Sequence, residues 1–74
     1  MKKLYKIKLL TYGGIHSTTF ESTIYVSAHN IDEAFEYAHN VAEEQEKKFN
    51  KDKAIREVVE IGGIEFISSL YEIN

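Results

Sequence analysis

The first third of the chain alternates apolar and polar side chains with a period of two, which is typical of half-buried β-strands. Residues 3–12 and 17–27 form two such segments, and Gly13-Gly14 between them supplies the positive φ that tight hairpin turns require. The pattern therefore predicts a β-hairpin with one apolar face. That face consists of Tyr5, Ile7, Leu9, Phe20, Ile24 and Val26.

The pattern leaves the register of this hairpin open. A two-residue turn places Ile7 opposite Phe20, whereas a slip by two residues places Leu9 opposite Phe20 and Tyr5 opposite Ile24. Both registers keep the apolar residues on one face, because a slip by two preserves the pleat.

A single amphipathic helix follows the hairpin. Asn30 is a suitable N-cap, and Glu33 stands three residues later in the capping-box position. Asn50 is a candidate left-handed C-cap, which ends the helix there. Three- and four-residue spacings predict one buried, mostly apolar stripe. The stripe consists of Ile31, Ala34, Phe35, Ala38, Val41, Ala42 and Gln45.

The last third predicts a second hairpin. Residues 54–61 and 64–73 are rich in Ile and Val, and Gly62-Gly63 between them resembles another turn. A two-residue turn sets Glu60 opposite Glu65, and like charges across a ladder are unfavourable, so a longer or bulged turn is the alternative. From this half of the chain, the residues expected to face the helix are Ile55, Val59, Ile61, Phe66 and Leu70.

These elements predict one α+β domain over residues 1–74 with the order β-β-α-β-β. The helix packs on one face of a mostly antiparallel sheet. A strand order of 2-1-3-4 is preferred because it avoids a parallel crossover.

Composition excludes several kinds of site and localisation. The net charge is −3 and there is no cysteine, so disulfides and thiolate metal sites are excluded. The basic start is followed by an apolar run that lysines interrupt, and no segment has the length of a membrane span, so we expect a cytoplasmic protein. Eight lysines against one arginine indicate an AT-rich coding sequence.

The chain shows no pattern of residues that indicates catalysis. Glu36, His39 and Glu43 share a helix face, but a metal site needs convergent ligands and a second shell. The glycine pairs lack a phosphate-loop signature. Ser68-Ser69 lacks a base partner and a nucleophile elbow. We therefore predict a non-enzyme without a metal or cofactor.

Aromatic and basic side chains on the outward face of the predicted sheet are the candidate interaction surface. One helix covers only one face of the sheet, so the other face is open to a partner. Tyrosine is common in protein interfaces because it combines a large contact area with a polar hydroxyl group. A protein partner, or self-association into a homodimer, is the first hypothesis for this face. An oligomeric nucleotide-binding protein and a nucleic-acid-binding sheet are alternatives, the latter disfavoured by the nearby glutamates. The surface consists of Tyr12, Tyr25, Ile67, Tyr71, Lys6 and Lys8.

The segment from Ile24 to Ala34 passes from a strand through a V-x-A step and a polar cap to an acidic helix start. In this, and in the β-β-α-β-β plan, the chain resembles small bacteriophage and prophage proteins of the host-directed or anti-defence inhibitor type. The resemblance implies a compact protein without an active site that acts in the host cytoplasm. Many proteins of this type bind and block a host protein, and some instead sequester nucleotide signals. The resemblance carries no functional residue over to this chain.

Overall fold

Three antiparallel strands and one helix build the fold. The computed structural model describes residues 1–14, 19–51 and 56–70. The elements are β1 (Lys2–Gly13), β2 (Phe20–Ala28), α1 (Ile31–Phe49) and β3 (Glu57–Leu70). The sheet has the order β2-β1-β3, and α1 packs on one of its faces. The α+β class and the helix on one face of an antiparallel sheet are as predicted.

The pairing of β1 with β2 follows neither predicted register. Ile7 lies opposite Ile24, and Thr11 lies opposite Phe20, which is a further slip by two residues. Gly13 and Gly14 have the expected positive φ, at 88° and 72°. However, Gly13 still pairs with β3 and the Gly14 amide donates to the Arg56 carbonyl at 3.2 Å. The connection is therefore longer than a two-residue turn, while the apolar face is preserved.

The predicted second hairpin is wrong, because β3 is one continuous strand. It pairs with β1 along its whole length, from Glu57 opposite Gly13 to Leu70 opposite Lys2. Gly62 and Gly63 lie inside it, and neither has a positive φ. Two register shifts, at Gly62 and Ile67, accommodate the extra residues as bulges. The element order is accordingly β-β-α-β.

Pairing of β3 with β1 also separates Glu60 from Glu65, which a two-residue hairpin turn would have placed opposite each other. Glu65 lies opposite Lys6, and Glu60 lies opposite Leu10. A cross-strand pair of opposite charge replaces a pair of like charge, which favours the continuous strand.

Local hydrogen bonds define the start of α1 as predicted. The Asn30 side chain accepts a hydrogen bond from the Glu33 amide at 2.8 Å, which satisfies one of the first free N–H groups of the helix. At the other end Asn50 has φ −98°, so the prediction of a left-handed cap is wrong. Its side chain instead binds the first residue of β3.

The core between α1 and the sheet is small. The helix contributes three alanines, and Ile7 and Leu9 of β1 are the largest fully buried side chains. Helix-face positions of all three strands complete it. The buried residues are Tyr5, Ile7, Leu9, Val26, Ala28, Ala34, Ala38, Ala42 and Val59.

Five residues predicted to belong to this core lie outside it, among them Ile31 of the helix stripe, which is 52% exposed. Phe20, Phe35 and Phe66 are 62%, 52% and 54% exposed. Leu70 lies opposite Lys2, on the other face of the sheet, because the bulge at Ile67 reverses the alternation. Ile55 lies outside the described residues.

The path of α1 explains the exposed phenylalanines. Two residues separate the end of β2 from the start of α1, and the C-cap of the helix binds the start of β3, on the opposite side of β1. It therefore crosses the sheet diagonally and leaves two corners of the helix face uncovered. The alanine stripe lets the helix approach closely, while larger side chains at its flanks stay at the surface.

Candidate interaction surfaces

The face of the sheet opposite α1, here called the outer face, carries most of the predicted interaction residues. Strand alternation places Lys6, Lys8 and Tyr12 of β1 on it, together with Tyr25 of β2. Tyr25 is 62% exposed and Tyr12 is 36% exposed.

Two of the predicted residues are not placed on the outer face by pairing. Ile67 lies at a register shift, has no direct partner on β1 and is 42% exposed. Tyr71 lies outside the described residues.

The lysines of the outer face lie next to glutamates. Lys6 has Tyr25 on one side and Glu65 on the other. The Lys8 ammonium lies 3.8 Å from a Glu21 carboxylate oxygen, and both side chains are at least half exposed. These contacts contribute little to stability because solvent screens them, but they leave the face nearly neutral.

Tyr12 and Glu60 form a polar contact between β1 and β3. The Tyr12 hydroxyl donates to a Glu60 carboxylate oxygen at 3.1 Å. This hydrogen bond, with desolvation and the negative charges of Glu60 and Glu46, raises the pKa of Tyr12 above its ordinary value. The phenol therefore stays neutral over the physiological pH range.

The outer face is more apolar than a solvated sheet face requires. An antiparallel sheet with one wet face usually alternates apolar-in and polar-out. Here Leu4, Leu10 and Leu70 are half-buried by their neighbours, and Val58 lies next to Tyr12. No element among the described residues packs over this face.

A second apolar surface, which the hydrophobic pattern does not predict, lies on the helix face of the sheet. Every phenylalanine of the chain is more than a third exposed. Phe20 and Phe49, with Ser22 and Gln45, flank a groove of about 540 Å³ that we call the β2 corner. Strand alternation shows which residues face α1, but it does not show where the helix crosses them.

The diagonally opposite region is the β3 corner, defined by Phe35, Ile61, Ile64 and Phe66. Phe35 and Ile61 line a second groove of about 540 Å³ between α1 and β3. Phe66 packs edge-on against Tyr5, with ring centroids 6.0 Å apart, and Ile64 packs against the core.

Polar side chains of α1 cover part of the free edge of β3. The Asn50 side chain donates to the Glu57 carbonyl and accepts from the Glu57 amide, both at 2.7 Å. The Glu46 carboxylate accepts from the Val59 amide at 3.2 Å. The helix thus satisfies this edge at the start of β3.

His39 of α1, and His29 just before the N-cap of the helix, each pair with a glutamate four residues later. His29 lies 3.2 Å from Glu33, and His39 lies 3.5 Å from Glu43. In the part of the chain that the structure describes, no group of three acidic or histidine side chains could hold a metal ion. Within the same residues, no helix is both long and apolar enough to span a bilayer.

Comparison of the chain with models of protein families, with curated proteins and with solved structures finds no match.

Proposed function

We propose that the chain is a non-catalytic module that binds a protein partner through the outer face of its sheet. One observation carries this proposal. The face opposite α1 presents Tyr25, Tyr12 and Val58 at the surface of a sheet that no other described element covers. Apolar surface of this kind, rimmed by polar residues, is characteristic of interaction sites.

The charges of this face favour a protein over a nucleic acid or a nucleotide. Binding of phosphates needs unneutralised basic groups. Lys6 lies opposite Glu65 and Lys8 lies beside Glu21, so a phosphate near either lysine would also meet a carboxylate. A nearly neutral surface with tyrosines matches the composition of protein interfaces better.

We take the class of partner from the resemblance of one segment alone, because the β-β-α-β-β plan that also supported the resemblance is replaced by β-β-α-β. The segment from Ile24 to Ala34 resembles small phage proteins that bind and inhibit host proteins, including components of defence systems. We extend the proposal accordingly to a host protein whose activity the bound chain blocks.

The test begins with identifying the partner. Tagged protein is incubated with lysates of bacteria whose genomes are AT-rich. A captured protein is then purified, and its binding to this chain is measured by calorimetry. Tyr25→Ser removes the most exposed aromatic ring of the outer face, and we expect it to weaken binding about tenfold or more, which is about 1.4 kcal/mol.

Tyr37→Ser is the matched control. Tyr37 is similarly exposed, at 57%, but lies on α1 and not on the sheet. We expect this variant to bind as the wild type does. Equal binding of the wild type and both variants would rule out the outer face as the binding site.

A further inference from the structure

Among the described residues, the edge of β3 that faces away from β1 is covered by side chains of α1 and its C-cap only as far as Val59. The Val59 amide points away from β1, toward Glu46, and Val59 lies opposite Thr11. A residue within a strand directs its amide and carbonyl to the same neighbour, and the direction alternates along the strand. On β1, Leu9, Ile7 and Tyr5 precede Thr11 at steps of two residues, so their backbone groups point in the same direction as those of Thr11, away from β3.

The β3 partners of those residues therefore direct their backbone groups outward. They are Ile61, Ile64 and Phe66. Among the described residues, no side chain binds this edge beyond Val59. Each of these three positions thus combines outward-directed backbone groups with an apolar side chain of the β3 corner, which is a template for adding a strand.

We propose that a second copy of this chain pairs with β3 along this edge. The two three-stranded sheets become one six-stranded sheet, related by a two-fold axis, with both helices on the same face. The two β3 corners then meet across the axis and cover each other's Phe35 and Phe66. This inference goes beyond the proposed function, which uses the opposite face of the sheet.

The surface area of the chain matches what such a dimer needs. The accessible surface is 5562 Å², whereas a compact monomer of 8.5 kDa has about 4,650 Å². The excess of about 900 Å² belongs to the whole elongated chain, and it is large enough to include the roughly 800 Å² that each partner buries in an interface of standard size.

Charge selects the centre of the pairing. An antiparallel pair centred between Ile64 and Phe66 sets Glu65 opposite Glu65 of the second copy, which is unfavourable. Centring the pair on Ile64 sets Glu65 opposite Gly63, so no like charges face each other across the two strands.

The bulges at Gly62 and Ile67 limit the regular stretch of each β3 to the four residues between them, 63–66. Burial of the two β3 corners, rather than the main-chain hydrogen bonds, therefore supplies most of the affinity.

The first test is the mass of the protein in solution, measured by light scattering over a range of concentrations. We expect the wild type to dimerise and Phe66→Lys to have about half its mass. Phe20→Lys is the matched control, because Phe20 is similarly exposed in the β2 corner, and it should remain dimeric. A wild type that stays monomeric, or a Phe66→Lys variant that still dimerises, would overturn the proposal.

Two further measurements do not depend on the Phe66 variant folding. The urea midpoint of the wild type should rise with protein concentration, since dimerisation stabilises the folded chain by mass action. A midpoint independent of concentration contradicts a dimer.

The register is tested with cysteines, since the chain has none. In a mixture of Gly63→Cys and Glu65→Cys, mild oxidation with oxidised glutathione should give mainly the mixed disulfide, because these positions face each other. Disulfides that join identical variants equally well would overturn this pairing.

Discussion

At the scale of single residues, Asn50 links the end of the helix to the start of β3. It is 6% exposed, and it is the buried polar side chain among the described residues. Its amide group donates and accepts at the same time, both bonds being to the backbone of Glu57. A side chain that satisfies two edge groups at once couples the direction of α1 to the position of β3.

We expect Asn50→Ala to lower the free energy of unfolding by about 2–3 kcal/mol, because two part-buried hydrogen bonds are lost. Urea denaturation measures this loss. Asn40→Ala is the control, since Asn40 is exposed on α1 and alanine favours the helix. Equal stability of the Asn50 variant and the wild type would contradict this role.

Tyr12 provides a second prediction at this scale. Its pKa is raised, first by the hydrogen bond to Glu60, so the neutral phenol is favoured in the folded chain. Since the folded pKa exceeds the unfolded value of about 10, the contribution to stability is complete below that pH. It is lost as the pH rises through the folded pKa.

We expect Glu60→Ala to lower the pKa of Tyr12 toward its ordinary value, as followed by nuclear magnetic resonance of labelled tyrosine. Glu65→Ala, on the same face but opposite Lys6, should leave it unchanged. A Tyr12 pKa that responds equally to both substitutions would argue against a specific contact with Glu60.

At the scale of elements, β3 contains a glycine pair, Gly62-Gly63, inside a continuous strand, and the two glycines differ in what surrounds them. A Cβ on Gly62 would lie 2.7 Å from Leu10 Cγ, whereas a Cβ on Gly63 would have no atom within 4 Å. Gly62 is therefore needed for the close approach of Leu10, and Gly63 is not. Neither position needs a positive φ, in contrast to Gly13 and Gly14.

This difference gives a matched pair of variants. Gly62→Ala should destabilise the fold by about 1–3 kcal/mol, because Leu10 must move. Gly63→Ala should be neutral or stabilising by up to about 1 kcal/mol, since alanine restricts the unfolded chain. Thermal or urea unfolding of both variants measures the effect. A hairpin turn at this site would instead make both substitutions costly.

At the scale of the whole molecule, the long strands make the fold elongated. Its extents are 50 × 18 × 17 Å, and its radius of gyration of 14.5 Å exceeds the roughly 11 Å of a compact domain of this length. One helix of 19 residues cannot cover both corners of such a sheet. The exposed phenylalanines follow from this mismatch between the sheet and its single helix.

The two proposals use different parts of this elongated molecule. The outer face, with Tyr25, lies on the side of the sheet away from α1, and the β3 corner lies on the helix side at one edge. Loss of partner binding in Tyr25→Ser and loss of dimerisation in Phe66→Lys are therefore independent outcomes.

Local interactions along the chain determined the elements that depend on near neighbours. The period of two in β1, the cap at Asn30 and the alternation that places Tyr25 and Lys6 outward could all be predicted, because each depends on residues a few positions apart. Only the tertiary structure decided that β3 runs through Gly62-Gly63, since that choice depends on pairing with β1, about fifty residues away. The same holds for Phe20, Phe35 and Phe66: their pattern is that of core residues, but the diagonal path of α1, held by Asn50 and Glu46, leaves them at the surface.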